Sequence, residues 1–173
     1  LRAAFGVVME KTQRELQGIA CMELEEVAPA KKQIVSSRSF GQSVKSLDAL
    51  KDAMSTFSAN ACAKLRAQNS HATLIQVHLE TDRFRTDKPQ YAPALSIPLP
   101  QPTNDSLIVN KWAAYLVERM YKSEYEYKRA GITLAEISPV SQYQSDWLEP
   151  KQATDARLMD ALDALNTRYG RGT

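Results

Sequence analysis

Between Lys31 and Ile137 the period of the hydrophobic residues changes segment by segment, and that succession limits the folds open to the chain. Gln33-Ile34-Val35-Ser36-Ser37-Arg38-Ser39-Phe40 is β-like, and Gly41 is expected to end it. From Leu47 to Gln68, apolar residues recur at three and four positions through Leu50, Met54, Phe57, Ala61 and Leu65, the spacing of a helix that buries one stripe. Ser46 and Asp48 stand where capping groups belong. Ala72 to Glu80 alternates, with Thr73, Ile75, Val77 and Leu79 on one face and Leu74, Gln76, His78 and Glu80 on the other. After a polar loop from Arg83 to Gln90, Ala94 to Leu99 alternates again, and Pro98 marks it as an edge strand because proline donates no ladder hydrogen bond. Pro102-Thr103-Asn104-Asp105 opens a second helix carrying Leu107, Ile108, Trp112, Tyr115, Leu116 and Met120. Tyr127 to Ile137 closes the unit as a strand, Ile132 and Leu134 facing one way and Thr133 the other. The order β-α-β-β-α-β is the split βαβ motif of ferredoxin-like domains. The expected class is α+β: an antiparallel four-stranded sheet with two helices on one face and the other face open.

The flanks read differently. Phe5, Val8, Met9, Thr12 and Leu16 fall at helical spacing as far as Gly18, a helix too short to stand alone and expected to pack on something else. Starting inside a helix and without Met, the chain reads as a piece of a longer protein. Glu23, Glu25, Glu26 and Pro29 make an acidic extended linker rather than a catalytic carboxylate pair. Ser138 to Ala153, rich in Ser and Gln with Pro139 and Pro150, is a second linker. Thr154 or Asp155 then caps a short helix with Leu158, Leu162, Leu165 and Tyr169 on one side and Asp160 and Asp163 opposite, ended by Gly170. The divisions expected are therefore 1–17, 18–30, 31–137, 138–153 and 154–173.

Catalysis finds little material. His71 and His78 have no Cys or carboxylate at ligand spacing, and none of the phosphate-cradling, nucleophile-elbow or zinc-protease motifs occurs. Cys21 and Cys62 lack metal or redox spacing and read as two free thiols of a reducing cytosol. No apolar run approaches the roughly 18 residues of a membrane span.

Binding finds more. The net charge of +2 is uneven: residues 31–137 hold fifteen basic against ten acidic groups, a mild balance that suits a polyanion and also suits an ordinary solvated surface. Lys31-Lys32 precede the first strand, which contains Ser36, Ser37, Arg38 and Ser39, and Lys128-Arg129 open the last. In this topology the first and last strands lie close, so Ser37, Arg38, Ser39, Lys128 and Arg129 are expected to converge on the open face, where hydroxyls, amides and guanidinium groups can meet phosphate oxygens. The same residues also fit two ordinary charged strand ends. Gln144-Ser145-Asp146-Trp147-Leu148, a glutamine followed by two bulky apolar groups, can plug a pocket on a partner; Trp147 folding back on its own domain fits as well.

Several blocks resemble the UmuC-type, Y-family DNA polymerases, in order and across the whole chain. They are Glu15-Leu16-Gln17-Gly18-Ile19-Ala20-Cys21, Leu24-Glu25-Glu26-Val27-Ala28-Pro29, Ser37-Arg38-Ser39-Phe40-Gly41, Pro102-Thr103-Asn104-Asp105, Tyr127-Lys128-Arg129-Ala130-Gly131-Ile132, Leu158-Met159-Asp160-Ala161-Leu162-Asp163 and Gly170-Arg171-Gly172-Thr173. The resemblance implies an SOS-induced enzyme that copies damaged templates, with 1–17 as the end of its thumb and 31–137 as the little finger that lies in the major groove. It implies phosphate contacts at Ser37, Arg38, Ser39, Lys128 and Arg129. The catalytic palm and its magnesium would precede Leu1, leaving this piece inactive alone. Gln144 to Leu148 occupies the place of the sliding-clamp-binding pentapeptide, with Trp147-Leu148 where the family has Leu-Phe. UmuD-type subunits and RecA are implied as partners, and a bacterial, nucleoid-associated cytoplasmic setting. Two rivals stand beside the DNA-binding module: a ferredoxin-like interaction module that docks the sliding clamp, and, less supported for want of a site, a small ferredoxin-like enzyme.

Overall fold

A computed structural model describes residues 2–19, 21, 31–142 and 156–170. The chain divides into two compact units, Leu1–Ala30 and Lys31–Thr173. The first holds α1 (Arg2–Leu16), broken at Gly6, whose φ of 79° and ψ of 176° lie outside the helical range. Val7, Val8, Met9 and Leu16 on it are all exposed.

The second unit contains β1 (Ile34–Val44), α2 (Leu47–Ala67), β2 (Ser70–Thr81), β3 (Ala94–Thr103), α3 (Ser106–Met120), β4 (Tyr127–Pro139), a short 3-10 turn and α4 (Ala156–Tyr169). The strands form one antiparallel sheet in the order β1-β4-β2-β3. Each helix crossover skips one strand, α2 carrying the chain from β1 over β4 to β2 and α3 from β3 over β2 to β4, so the expected split βαβ arrangement is present. Leu50, Met54, Phe57, Ala61 and Leu65 of α2 and Val109, Ala113 and Leu116 of α3 pack in one core with Ile75, Val77, Leu79, Ile132 and Leu134. Burying each such aliphatic side chain is worth roughly 1.5–3 kcal/mol, which makes this shared layer the main stabilising force.

The helix starts follow the capping chemistry. Ser46 caps α2, its hydroxyl accepting from Ala49 N at 3.4 Å. Asp105 caps α3, its Oδ1 accepting from Leu107 N at 2.7 Å and Ile108 N at 3.4 Å. These bonds satisfy amide groups that a helix start otherwise leaves unpaired. The strands run past their expected ends, β3 to Thr103 through the Pro102-Thr103 expected to open the helix and β4 to Pro139, and one residue changes face. β1 continues past Gly41 to Val44 through an irregularity between Ser39 and Val44, because the Lys128 ammonium donates to the Gly41 carbonyl at 2.8 Å and holds the segment against β4. Thr73 is not a core residue: Ala72 is fully buried instead, and Thr73 Oγ1 donates to Glu136, whose φ is 53°. β3 is an edge strand as Pro98 implied, and it carries Pro100 and Pro102 besides.

The last helix docks by a different side from the one its leucines suggest. Leu158, Leu162, Leu165 and Tyr169 stay exposed, while Met159 is 2% exposed and Asp163 receives the Arg66 guanidinium through two bonds of 2.6 and 2.7 Å. A forked, charge-assisted pair outweighs the apolar stripe in setting the helix rotation, since Arg66 is largely buried and needs an acceptor. Arg66 also donates to Asn104 O at 2.7 Å, joining α2, the entry to α3 and α4 at one side chain.

Gly131 marks the closest approach in the sheet: a Cβ there would collide with the Cβ of Ser37 and the imidazole of His78 on the neighbouring strands. Gly131→Ala is therefore expected to cost about 1–3 kcal/mol by overpacking, a fall of several degrees in Tm, whereas Gly41→Ala, with open space around it, should be near neutral. Asp163→Ala is expected to raise amide hydrogen exchange across 156–170 without altering exchange in β2 and β4, at a cost of about 1 kcal/mol given that Asp163 is partly solvent-screened.

Candidate nucleic-acid interface

The pleat of the sheet sends alternate residues to the helices and to the open side, and cross-strand partners share a side. Four rows result on the open face. Ala135, Leu74 and Pro98 form the first; Val35, Thr133, Gln76 and Ser96 the second; Ser37, Gly131, His78 and Ala94 the third; Ser39, Arg129 and Glu80 the fourth. Polarity thus rises along the strands, from an apolar row through neutral hydroxyl, amide and imidazole groups to a charged row.

Of the residues expected to converge, Ser37, Ser39 and Arg129 do so. Arg129 donates to Ser37 Oγ at 3.4 Å and lies 4.0 Å from the Glu80 carboxylate, its side chain 42% exposed. Lys128 sits beside them at the rim, tied to the Gly41 carbonyl. Arg38 does not share the open face. Its cross-strand partner is Ala130, a fully buried core residue, so Arg38 points to the helix side and lines a shallow depression with Ala53, Thr56 and Phe57 of α2. The reason is parity: Ile34 takes the buried place and Val35 the exposed one, which sends Ser36, Arg38 and Phe40 towards the helices.

Electrostatics sharpen the picture. Burial lowers the His78 pKa, with Glu80 raising it and Arg129 lowering it to lesser degrees, so the centre of the face carries a neutral imidazole at pH 7. Lys88 and Lys45 both close on Glu126, at 2.6 and 3.0 Å, and these hydrogen bonds hold the Glu126 carboxyl down at about 2. Lys45 and Lys88 are thus held at the rim by Glu126, and the face itself offers neutral donors and acceptors with Arg129 beside Glu80. Such a surface can bond phosphate oxygens through hydroxyl and amide groups without selecting a base.

Cys62 is wholly buried on α2, and burial pushes its thiol up to about 12. Among the described residues no group of three or more His, Cys, Asp or Glu is placed to hold a metal ion, and no helix is long and apolar enough to cross a membrane. Gln144, Ser145, Asp146, Trp147 and Leu148 lie outside the described residues. The open-face roles of Gln76, Ser96, Thr133 and the permissive Gly131 were missed in the sequence. Strand alternation alone placed Gln76 and His78 together, but row partners become visible only once the register is known.

Residues 31–147 match the model of the impB/mucB/samB family C-terminal domain. Over 175 residues the chain is 34% identical to Protein UmuC of Salmonella typhimurium, covering 100% of this chain and 42% of that protein. It is 39% identical to Protein MucB of Escherichia coli over 171 residues, 97% of this chain and 40% of that one. The chain thus spans about two fifths of the length of these relatives. Among solved structures, a complex of beta-clamp processivity factor and the little finger domain of PolIV aligns with a TM-score of 0.46 and 10% identity, over 68% of this chain and 99% of that one. An insertion ternary complex of Dbh DNA polymerase aligns at 0.48 and 11% identity, over 80% of this chain and 37% of that one. On the match over 31–147 and the whole-chain likeness to UmuC and MucB, the chain belongs to the impB/mucB/samB family and carries its C-terminal domain.

Proposed function

We propose that this chain is the DNA-gripping little-finger portion of an error-prone, Y-family translesion polymerase that acts in SOS repair and mutagenesis. The family match over residues 31–147 carries the reading. The open sheet face supports it, because hydroxyl and amide groups around a single arginine grip phosphates whatever the base, which suits an enzyme that meets distorted templates. In this reading 1–17 ends the thumb, 18–30 links it to the little finger, and 154–173 forms a tail beyond the linker expected at 138–153, whose first residues 138–142 instead complete β4 and the 3-10 turn. Polymerase chemistry and its magnesium belong to a palm outside these residues. UmuD-type subunits, RecA and a nucleoid-associated cytoplasmic setting belong to the whole enzyme. Ser37, Ser39 and Arg129 face the duplex, with Lys128 at the rim and Arg38 at the β1 edge.

Gln144 to Leu148 is proposed as the tether to the sliding clamp, on the strength of its glutamine and paired bulky apolar residues. A clamp-docking module without DNA affinity is the competing reading.

Binding to a primer-template should weaken with salt at about one unit of logarithmic slope per phosphate neutralised, a shallow total of about one to two for Arg129 and Lys128. Arg129→Ala is expected to lower affinity severalfold, equally on unrelated sequences, and Arg38→Ala to do less; the reverse order in a titration would move the DNA surface to the helix side of β1. In a pull-down with the sliding clamp, Gln144→Ala and Trp147→Ala should reduce retention, and equal retention by all three proteins would remove the tether.

A further inference from the structure

The loop between β2 and β3 is built to present one aromatic ring. Phe84 is 85% exposed, yet the loop around it is densely bonded. Asp82 Oδ1 accepts from Phe84 N at 3.1 Å. Gln90 Nε2 donates to the carbonyls of Asp82, Arg85 and Lys88 at 3.0, 2.9 and 3.3 Å. Gln90 Oε1 accepts from Thr81 Oγ1 at 3.0 Å, and Arg85 forks onto Asp87 with two bonds of 2.9 Å. Exposing a phenyl ring to water is unfavourable, and a loop with this many internal bonds holds it outward in a fixed place.

The surroundings say what the ring fits. The Arg83 guanidinium lies 5.9 Å from the Phe84 ring centroid. Arg83 also lines a depression with Glu80, which belongs to the charged row of the open face. Arg83 thus borders the charged row that contains Arg129, and the ring stands beside Arg83. An aromatic face beside a guanidinium is the pairing that holds an unstacked base by one side and its phosphate by the other.

We propose that Phe84 stacks on an unpaired base of the bound DNA while Arg83 meets the adjoining phosphate. This rests on the DNA-gripping reading above and adds to it: the sheet face holds paired backbone, whereas the loop senses a base that has left the stack.

The test measures equilibrium binding of the whole chain to two DNAs, a fully paired duplex and the same duplex with one extrahelical 2-aminopurine. Phe84→Ala is expected to weaken binding to the bulged DNA about tenfold, with less than about a twofold change on the paired duplex. Phe84→Trp should retain the preference and quench the 2-aminopurine emission, and Phe84→Ala should restore that emission. Since the ring touches solvent over most of its surface, the Tm should be unchanged, which separates loss of contact from loss of fold. Phe84→Ala binding both DNAs as the parent chain does would overturn the stacking role, as would an equal loss on both. So would normal DNA binding combined with weaker retention of a protein partner, which would assign the ring to a protein pocket. If the parent chain binds neither DNA, and Arg129→Ala changes nothing, the DNA-gripping reading itself falls and this inference with it.

Discussion

β4 is the strand on which the rest of the domain depends. It lies between β1 and β2 and is bonded to both, so its backbone groups are paired on each side and its two faces are committed together. Ala130, Ile132 and Leu134 anchor the helices, and Arg129, Gly131 and Thr133 supply the centre of the open face. A slip of one residue would expose Ile132 and Leu134 and bury Arg129, exchanging the core for the interface. The position of the open-face groups is thus secured by apolar packing on the far side of the sheet. No contact within the open face has to be strong for that face to be well placed.

How much of this was legible depends on how unambiguous each pattern is. α2 and β4 were readable because Leu50, Met54, Phe57, Ala61 and Leu65 keep helical spacing and Ile132 and Leu134 straddle a threonine. β1 was not, because Ile34 and Val35 are adjacent apolar residues and the parity of the strand could follow either one. Either parity separates Arg38 from Ser37 and Ser39, so the three could not share the open face as expected. In α4 the leucines outnumber the residues that dock, and the deciding partner, Arg66, lies almost a hundred positions away in sequence. Thr73 fell out of its expected place because Glu136 adopts a left-handed backbone that no local pattern announces. Of the candidate site, the serines and Arg129 were visible; the rows that join them to Gln76, Ser96 and Thr133 required the register.

Charge is where reading the chain and reading the fold diverge most. Residues 31–137 carry an excess of basic groups, and a sequence reader spreads that excess over the surface. Folding leaves the excess intact but places several lysines in pairs away from the open face, Lys45 and Lys88 with Glu126 and Lys51 with Glu118. What remains on the open face is close to balanced, with Arg129 beside Glu80. The face therefore contributes little net charge of its own, and what it can offer a ligand is short hydrogen bonds.

The two edges of the sheet carry a consequence for crowding. Pro98, Pro100 and Pro102 stand two residues apart on β3, so one side of that edge lacks the donors another strand would use. On β1 the ladder is irregular between Ser39 and Val44, with the Lys128 ammonium occupying a carbonyl there. The prolines leave the β3 edge without a full row of donors for a second chain, whereas β1 is regular from Ile34 to Ser39 and irregular only beyond it, so extension of the sheet is disfavoured on the β3 side alone.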